Sequence, residues 1–234
     1  MRTPAARTRD PRSFDDLPHV FDRYAELVGA PLMDYLRERL PVRGGRAVDL
    51  GAGTGQHAAL FAEHYNEVLA VDISTPMLTL ARSKRPRGNI TYQHRNLLEV
   101  TPADDGRFDL VFSAYTLHHV WDLPYTLTHL ATLVRPGGQV ILIDNVDPRH
   151  QAPRSWYRAE ARRALVQDVT HGRRPLRQAA EVYRLATHPA WLDHLTTDVF
   201  LSPEQFQATY TAVFPHAQIT PMYRARALHW TNHN

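Results

Sequence analysis

Gly51, Gly53 and Gly55 fall within five positions of the stretch AVDLGAGTGQHA, directly behind a short apolar run. Glycines at that spacing, between a strand and a helix, let the backbone come close to a ligand and turn free N–H groups toward it. A phosphate-binding P-loop needs Lys and then Ser or Thr after its last glycine, and Gln56 and His57 stand there instead. The dinucleotide fingerprint G-x-G-x-x-G would want glycine at position 56, whereas the spacing here is G-x-G-x-G. Asp49, at the end of the preceding strand, suits a cationic ligand group better than a pyrophosphate. Taken singly, a tight turn and a helix N-cap are the plain alternatives for these glycines and this acid.

Histidine is the second chemical resource, with 14 copies, and cysteine is absent. Disulfides, thiolate nucleophiles and cysteine-type metal sites are therefore excluded. The histidines show neither H-x-x-E-H nor H-E-x-x-H spacing, so no required metal is expected. His118 and His119, in SAYTLHHV, stand just past a predicted fourth strand, at the edge where doubly wound sheets place their ligands. That position makes them candidate general bases, with capping or packing as the other use of a histidine at such a junction.

The elements that must position these residues follow from hydrophobic periodicity. Phe21, Tyr24, Leu27 and Val28 recur at helical spacing, and Leu32, Tyr35, Leu36 and Leu40 repeat the pattern after Pro31. Strands and helices then alternate through RAVDLGA, HAALFAEHY, EVLAVDI, PMLTLARSK, NITYQHRN, FDLVFSAY, LPYTLTHLATLV and GGQVILIDNV, the rhythm of a parallel doubly wound sheet. From Pro148 to Leu201 helical segments broken at THGRRP and THPAW interrupt that rhythm as an inserted cap. Ser202 is placed as an N-cap with Pro203 at the first helical position, and AQITPMY and ARALHW are expected to pair as an antiparallel hairpin. The expected organisation is a mobile tail and N-terminal helices over 1–40, a ligand-binding core over 41–147, the cap over 148–201, and a last helix with terminal hairpin over 202–234.

With the strand motifs placed, the sequence resembles the class I S-adenosylmethionine-dependent methyltransferases, of the small-molecule type similar to the ubiquinone/menaquinone group. VDLGAGTG matches their first motif, Asp72 in LAVDISTPML the acid ending the second strand, FDLVFSAYTLHHV the fourth-strand motif, and LVRPGGQVILID the turn into the fifth strand. The resemblance covers roughly residues 45 to 145 and implies an α/β, Rossmann-like, doubly wound and mostly parallel sheet of seven strands. It also implies S-adenosylmethionine as cofactor. Asp72, some 20 residues past the loop, would accept both ribose hydroxyls. Ala52, Ile73, Met77 and Leu97 would join the glycines in lining the cofactor, and Tyr24 would close over its methionine end. Ser113, Ala114 and Tyr115 would lie beside the sulfonium. Asn96 stands where many members carry an acid toward the adenine amino group, and its carbonyl oxygen can still accept.

Composition limits the partners. The net charge of +3 argues against nucleic acid as a partner, no apolar run is long enough to span a bilayer, and the start lacks a signal-peptide core, so a cytoplasmic monomer or homodimer is expected. Trp156, Tyr157, His171, Tyr183, His188, Trp191 and His194 give the cap enough aromatic surface to wall a planar acceptor. Arg158, Arg162, Arg163, Arg173, Arg174 and Arg177 make it basic, which a solvated helix face also explains. The leading expectation is methyl transfer to an O, N or C atom of a small, partly aromatic molecule. An RNA or protein methyltransferase, and an S-adenosylmethionine-binding protein or cyclase that transfers no methyl, are the alternatives.

Overall fold

The computed structural model describes residues 15–233. The expected mobile tail over 1–13 lies outside the described residues. Two helices, α1 (Pro18–Val28) and α2 (Ala30–Arg37), precede the sheet, with Pro31 in the first turn of α2. Then come β1 (Gly44–Leu50), α3 (Gln56–His64), β2 (Tyr65–Asp72), α4 (Thr75–Lys84), β3 (Ile90–His94), β4 (Phe108–Ala114), α5 (Leu123–Leu133) and β5 (Val134–Asn145). Helices α6 (Arg154–Thr170), α7 (Leu176–Ala186) and α8 (Pro189–Thr197) follow, and α9 (Pro203–Val213), β6 (Gln218–Pro221) and β7 (Ala225–Thr231) close the chain.

The seven strands lie in the order β3-β2-β1-β4-β5-β7-β6. Pairings among β1 to β5 are parallel, and β7 runs antiparallel to both β5 and β6. Side chains alternate along each strand, so both faces of the sheet need apolar cover. Val48 and Leu50 join one core with Val71, Val111, Leu127 and Phe206, while Ala47 joins the other with Ala58, Phe61, Ala70 and Phe112. The same alternation sends Asp49 to the Ala47 face, against α3.

One element differs from expectation at its start. Pro136, Gly137 and Gly138 belong to β5 rather than to a separate turn before it. The strand bulges there: the β4–β5 register shifts between Phe108 and Leu110, and Gly137 takes φ +73. Gly137 N donates to Asn232 O at 2.7 Å and Asn232 N to Gly138 O at 2.8 Å, which extends the ladder past the end of β7. Ser202 caps α9 with Gln205 in a reciprocal capping box, as its position predicts.

The three helices between β5 and α9 stand on a tied base. Val146 bridges Leu201 in parallel, Asp147 N donates to Leu201 O at 2.9 Å, and Phe200 N donates to His150 O at 2.8 Å. Chain entry and exit are thus bonded to each other beside the C-terminal end of β5. Ala152, Tyr157 and Leu192 form a small apolar core within these helices.

Candidate active site

The sheet changes winding direction between β1 and β4, and the crevice outside the carboxyl ends of those strands is where such folds hold ligands. Asp49 and the glycine loop at the end of β1, Asp72 at the end of β2, and Ala114, Tyr115, His118 and His119 at and after the end of β4 lie along that edge.

The glycine loop is fastened from below. Gly51 N and Ala52 N both donate to Val71 O at 2.9 Å, tying the loop to the end of β2. Gly51, Gly53 and Gly55 take φ of +80, +52 and +79, a region that costs residues with a Cβ. A Cβ on Gly51 would lie 2.2 Å from Thr116 Oγ1, and one on Gly55 2.7 Å from Tyr92 Oη. Above Gly53 the first neighbour would be Phe21 of α1, at 3.6 Å.

Asp72 Oδ2 accepts from Gly53 N at 2.7 Å and Oδ1 from Ser74 N at 2.8 Å. Two backbone amides fix the carboxylate plane and leave one lone-pair direction on each oxygen. Burial pushes its carboxyl upward against those hydrogen bonds. Asp49 is different: it is 1% exposed and neither carboxylate oxygen has a well-formed hydrogen bond among the described residues. Burial, reinforced by the charge of Asp72, pushes it up to about 8, with the amide of Ala58 pulling weakly the other way. A buried orphaned carboxylate beside a loop too crowded for side chains fits a ligand that brings a positive charge.

Around this pair, Ala52, Ala114 and Met77 are buried. Ser113 Oγ donates to Leu50 O at 2.7 Å, so its side chain ties β4 to β1. Tyr115 follows with φ +56, a left-handed conformation unusual for an aromatic residue, and its N–H donates to Ile143 O at 2.8 Å. Ile73 is partly exposed and adjoins the β3 end, where Asp72 pairs with His94 and Arg95 N donates to Asp72 O. Leu97 is buried. Asn96 Oδ1 caps the turn Leu97–Glu99, accepting from Leu98 N at 2.9 Å while Glu99 accepts from Asn96 N. One lone pair of that oxygen is therefore committed to the fold.

Helix α1 is clamped over the loop by a residue that sequence reading missed. Asp22 is 2% exposed and meets Lys84, Arg85 Nη1 at 2.8 Å and Gln56 Nε2 at 3.2 Å. Lys84, the chain's only lysine, and Arg85 also reach Glu26. On its other side α1 meets the cap: Phe21 and Tyr24 lie 6.0 and 5.8 Å from Trp191 between ring centroids, and Arg23 pairs with Glu181 at 2.8 Å. Tyr24 thus stands between the strand ends and the cap.

His118 and His119 lie in the turn Leu117–His119 and meet the base of the cap. His118 Nδ1 is 2.5 Å from Asp144 Oδ1 at the end of β5, and its Nε2 is 3.7 Å from Asp198 Oδ2. His119 Nδ1 is 3.6 Å from Asp198 Oδ1, and His194 Nε2 is 3.4 Å from Asp198 Oδ2. Burial would lower His118, but Asp144 and Asp198 outweigh it and raise the ring to about 9. Burial pushes Asp198 up, and the three histidines, His118 first, bring it below the ordinary range. Asp144 had a signal in the sequence, an acid ending an apolar strand as Asp49 does; Asp198 had none.

Of the cap aromatics, Trp191 and His194 reach this region. Trp156 instead lies under Arg149, at 3.8 Å, and Arg224, at 4.4 Å, and His171 is exposed. Arg158, Arg162, Arg163, Arg173 and Arg177 are exposed, and Arg174 pairs with Asp168 at 2.6 Å. Among the described residues no helix is long and apolar enough to cross a membrane.

Comparison with known proteins agrees with this geometry. A methyltransferase domain model matches residues 48–142. The ubiquinone/menaquinone biosynthesis C-methyltransferase UbiE of Shewanella sp. (strain ANA-3) is 32% identical over 121 residues, 49% of this chain and 48% of that protein. O-methyltransferase cnsE of Penicillium expansum is 32% identical over 137 residues, 56% of this chain and 49% of that protein. The chain therefore spans about half the length of the curated relatives it matches. The S-adenosylmethionine-dependent methyltransferase from Mesorhizobium loti superimposes with a TM-score of 0.58 at 20% identity, over 88% of this chain and 99% of that one, a likeness of fold. The strand-end acids and the glycine loop all lie within the stretch, residues 48–142, that matches a methyltransferase domain.

Proposed function

We propose that the chain binds S-adenosylmethionine at the carboxyl ends of β1 and β2 and transfers its methyl group to a small, partly aromatic acceptor. The observation that carries the reading is the unequal pair of acids. Asp49, buried and without a well-formed hydrogen bond, suits the ammonium region of the cofactor's amino-acid tail. Asp72, held by two amides with lone pairs to spare, suits two ribose hydroxyls. Gly51, Ala52, Gly53 and Gly55 supply backbone against which the tail and ribose lie. Ile73, Met77, Asn96 and Leu97 would border the adenine.

When bound, the cofactor supplies an electrophilic methyl on a sulfonium. Displacement at that carbon is in-line, so most of the rate comes from orientation in a dry pocket. The protein's share is to position: Ala114 and Tyr115 border the reacting centre with backbone, Tyr24 and Trp191 close it, and the Asp22 clamp keeps α1 in place. A proton leaving the acceptor goes to the cluster of His118, His119 and His194 around Asp198. Within it His118 is the poorer base, because Asp144 and Asp198 hold its ring as a cation. Similarity to a C-methyltransferase and an O-methyltransferase favours carbon or oxygen acceptors over nitrogen.

Incubation with methyl-labelled S-adenosylmethionine and a panel of small phenols, enolisable ketones, amines and bulk RNA tests the proposal. Label in a phenol or ketone supports it. Label in amines alone keeps the small-molecule reading but moves the acceptor to nitrogen, label in RNA alone contradicts it, and label nowhere favours a binding or cyclase role.

A further inference from the structure

We infer that His118 Nε2, His119 Nδ1 and the Asp198 carboxylate form a binding site for a divalent transition-metal ion of the zinc or ferrous class. The three donor atoms lie within 4.8 Å of one another. Their separations from Asp198, 3.7 and 3.6 Å, are too long for hydrogen bonds between charged partners, which run at ~2.7–2.9 Å. Each ring nitrogen faces its own oxygen, His118 Nε2 toward Oδ2 and His119 Nδ1 toward Oδ1, at a distance close to the ~3.4 Å spacing of neighbouring ligand atoms around an ion with ~2.1 Å bonds. His194 Nε2, 3.4 Å from Asp198 Oδ2, approaches the same carboxylate from the cap but stands outside this group of three.

The surroundings point the same way. Asp144 receives His118 Nδ1 at 2.5 Å, which fixes the ring with Nε2 turned toward Asp198, the carboxylate–histidine support that metal-ligating imidazoles use. Asp144 and Asp198 are each 3% exposed, and among the described residues their ion-pair partners are imidazoles only. Without metal, the proton held on His118 offsets part of the two buried negative charges; a metal ion at the centre takes that proton's place and offsets both. Imidazole with one carboxylate, in a chain without cysteine, suits zinc, iron or cobalt rather than magnesium or calcium. Three protein ligands leave a position open, which is the character of a reactive site rather than a structural one.

No local motif marks this site, because His119 comes from the turn after β4 and Asp198 from the exit of α8. The cluster is the one to which the proposed reaction sends the acceptor's proton. Metal binding is nevertheless read without cofactor or acceptor, so its failure and a failure of methyl transfer are separate results.

The test is titration of the metal-stripped full chain with Co²⁺ alone, followed by visible absorption. The intense d–d bands of a four- or five-coordinate ion, at one per chain and bleached by Zn²⁺, are expected. Asp198→Ala and His119→Gln should abolish them, Asp144→Asn should raise the Co²⁺ Kd by ~10–100-fold, and exposed His171→Ala should leave them unchanged. Circular dichroism of each variant separates lost ligands from lost fold. If one variant does not fold, the wild-type spectrum with the remaining variants decides. A wild type showing only the weak spectrum of six-coordinate Co²⁺, or unchanged bands in a folded Asp198→Ala or His119→Gln, overturns the inference and leaves a proton as the compensating cation.

Discussion

Asp49 and Asp72 stand at the carboxyl ends of the paired strands β1 and β2, yet Asp72 has a backbone amide on each oxygen and Asp49 has no well-formed bond on either. The charge of one pushes the other toward its neutral form. An arrangement so unfavourable to an empty fold makes sense where a cationic, hydroxyl-bearing ligand supplies what is missing.

Asp49 should therefore couple stability to pH. Its folded value of about 8 lies above the ordinary 3.8, so the ligand-free fold holds a proton that the unfolded chain has released. The stability this gives is complete below about 3.8 and is lost as pH rises through about 8. Asp49→Asn should raise Tm at pH 7–8, leave it nearly unchanged near pH 3, and weaken S-adenosylmethionine binding throughout. Thermal unfolding of wild type and variant across that range checks the sign. An equal Tm offset at both ends of the range would contradict it.

The glycine loop gives a steric prediction. Gly51→Ala forces a Cβ into φ +80 and against Thr116, costing ~1–2 kcal/mol for the backbone before the clash is counted. Cofactor affinity and Tm should both fall, and adding Thr116→Ala should recover part of the Tm and not all. Full recovery would show that the conformation at Gly51 is not strained.

Asp22 is expected to hold α1 over the loop. Although burial pushes its carboxyl up, hydrogen bonds from Lys84, Thr54 and Gln56 and the charge of Arg85 bring it below 3.8. That stability is present above pH 3.8 and lost as pH falls through the depressed folded value. Asp22→Ala should cost ~1–3 kcal/mol, at the modest end because Lys84 stays in contact with solvent. Hydrogen exchange should show α1 opening in the variant while β1 and β4 stay protected. Unchanged protection of α1 would remove the clamp from the mechanism.

His119→Ala, with cofactor affinity retained, should slow turnover of a proton-bearing acceptor by ~10²-fold or more. The comparison of kcat with the Kd for the demethylated cofactor product reads this directly. An unchanged kcat across pH would return His119 to a packing role.

The core was legible because each piece has a local cause. The glycines needed positive φ, the apolar strands needed cover on both faces, and Ser202 followed by Pro203 marked a helix start. The bulged start of β5 was not, since its ladder depends on Asn232 at the far end of the chain. Asp22 reads as one more acid in a charged helix until Lys84 and Arg85, some sixty residues on, fold beside it. The histidine cluster likewise needs β4, β5 and the exit of α8 brought together, and no spacing encodes that meeting.

Isothermal titration of the wild-type chain with S-adenosylmethionine and with its demethylated product, set beside Asp72→Ala, decides whether the strand-end acids hold the cofactor. The expected outcome is one site per chain with affinity lowered at least ~10-fold in Asp72→Ala, the loss of two charge-assisted hydrogen bonds at ~1.5–3 kcal/mol each being ample. No binding by the wild type, or undiminished binding by the variant, would contradict it.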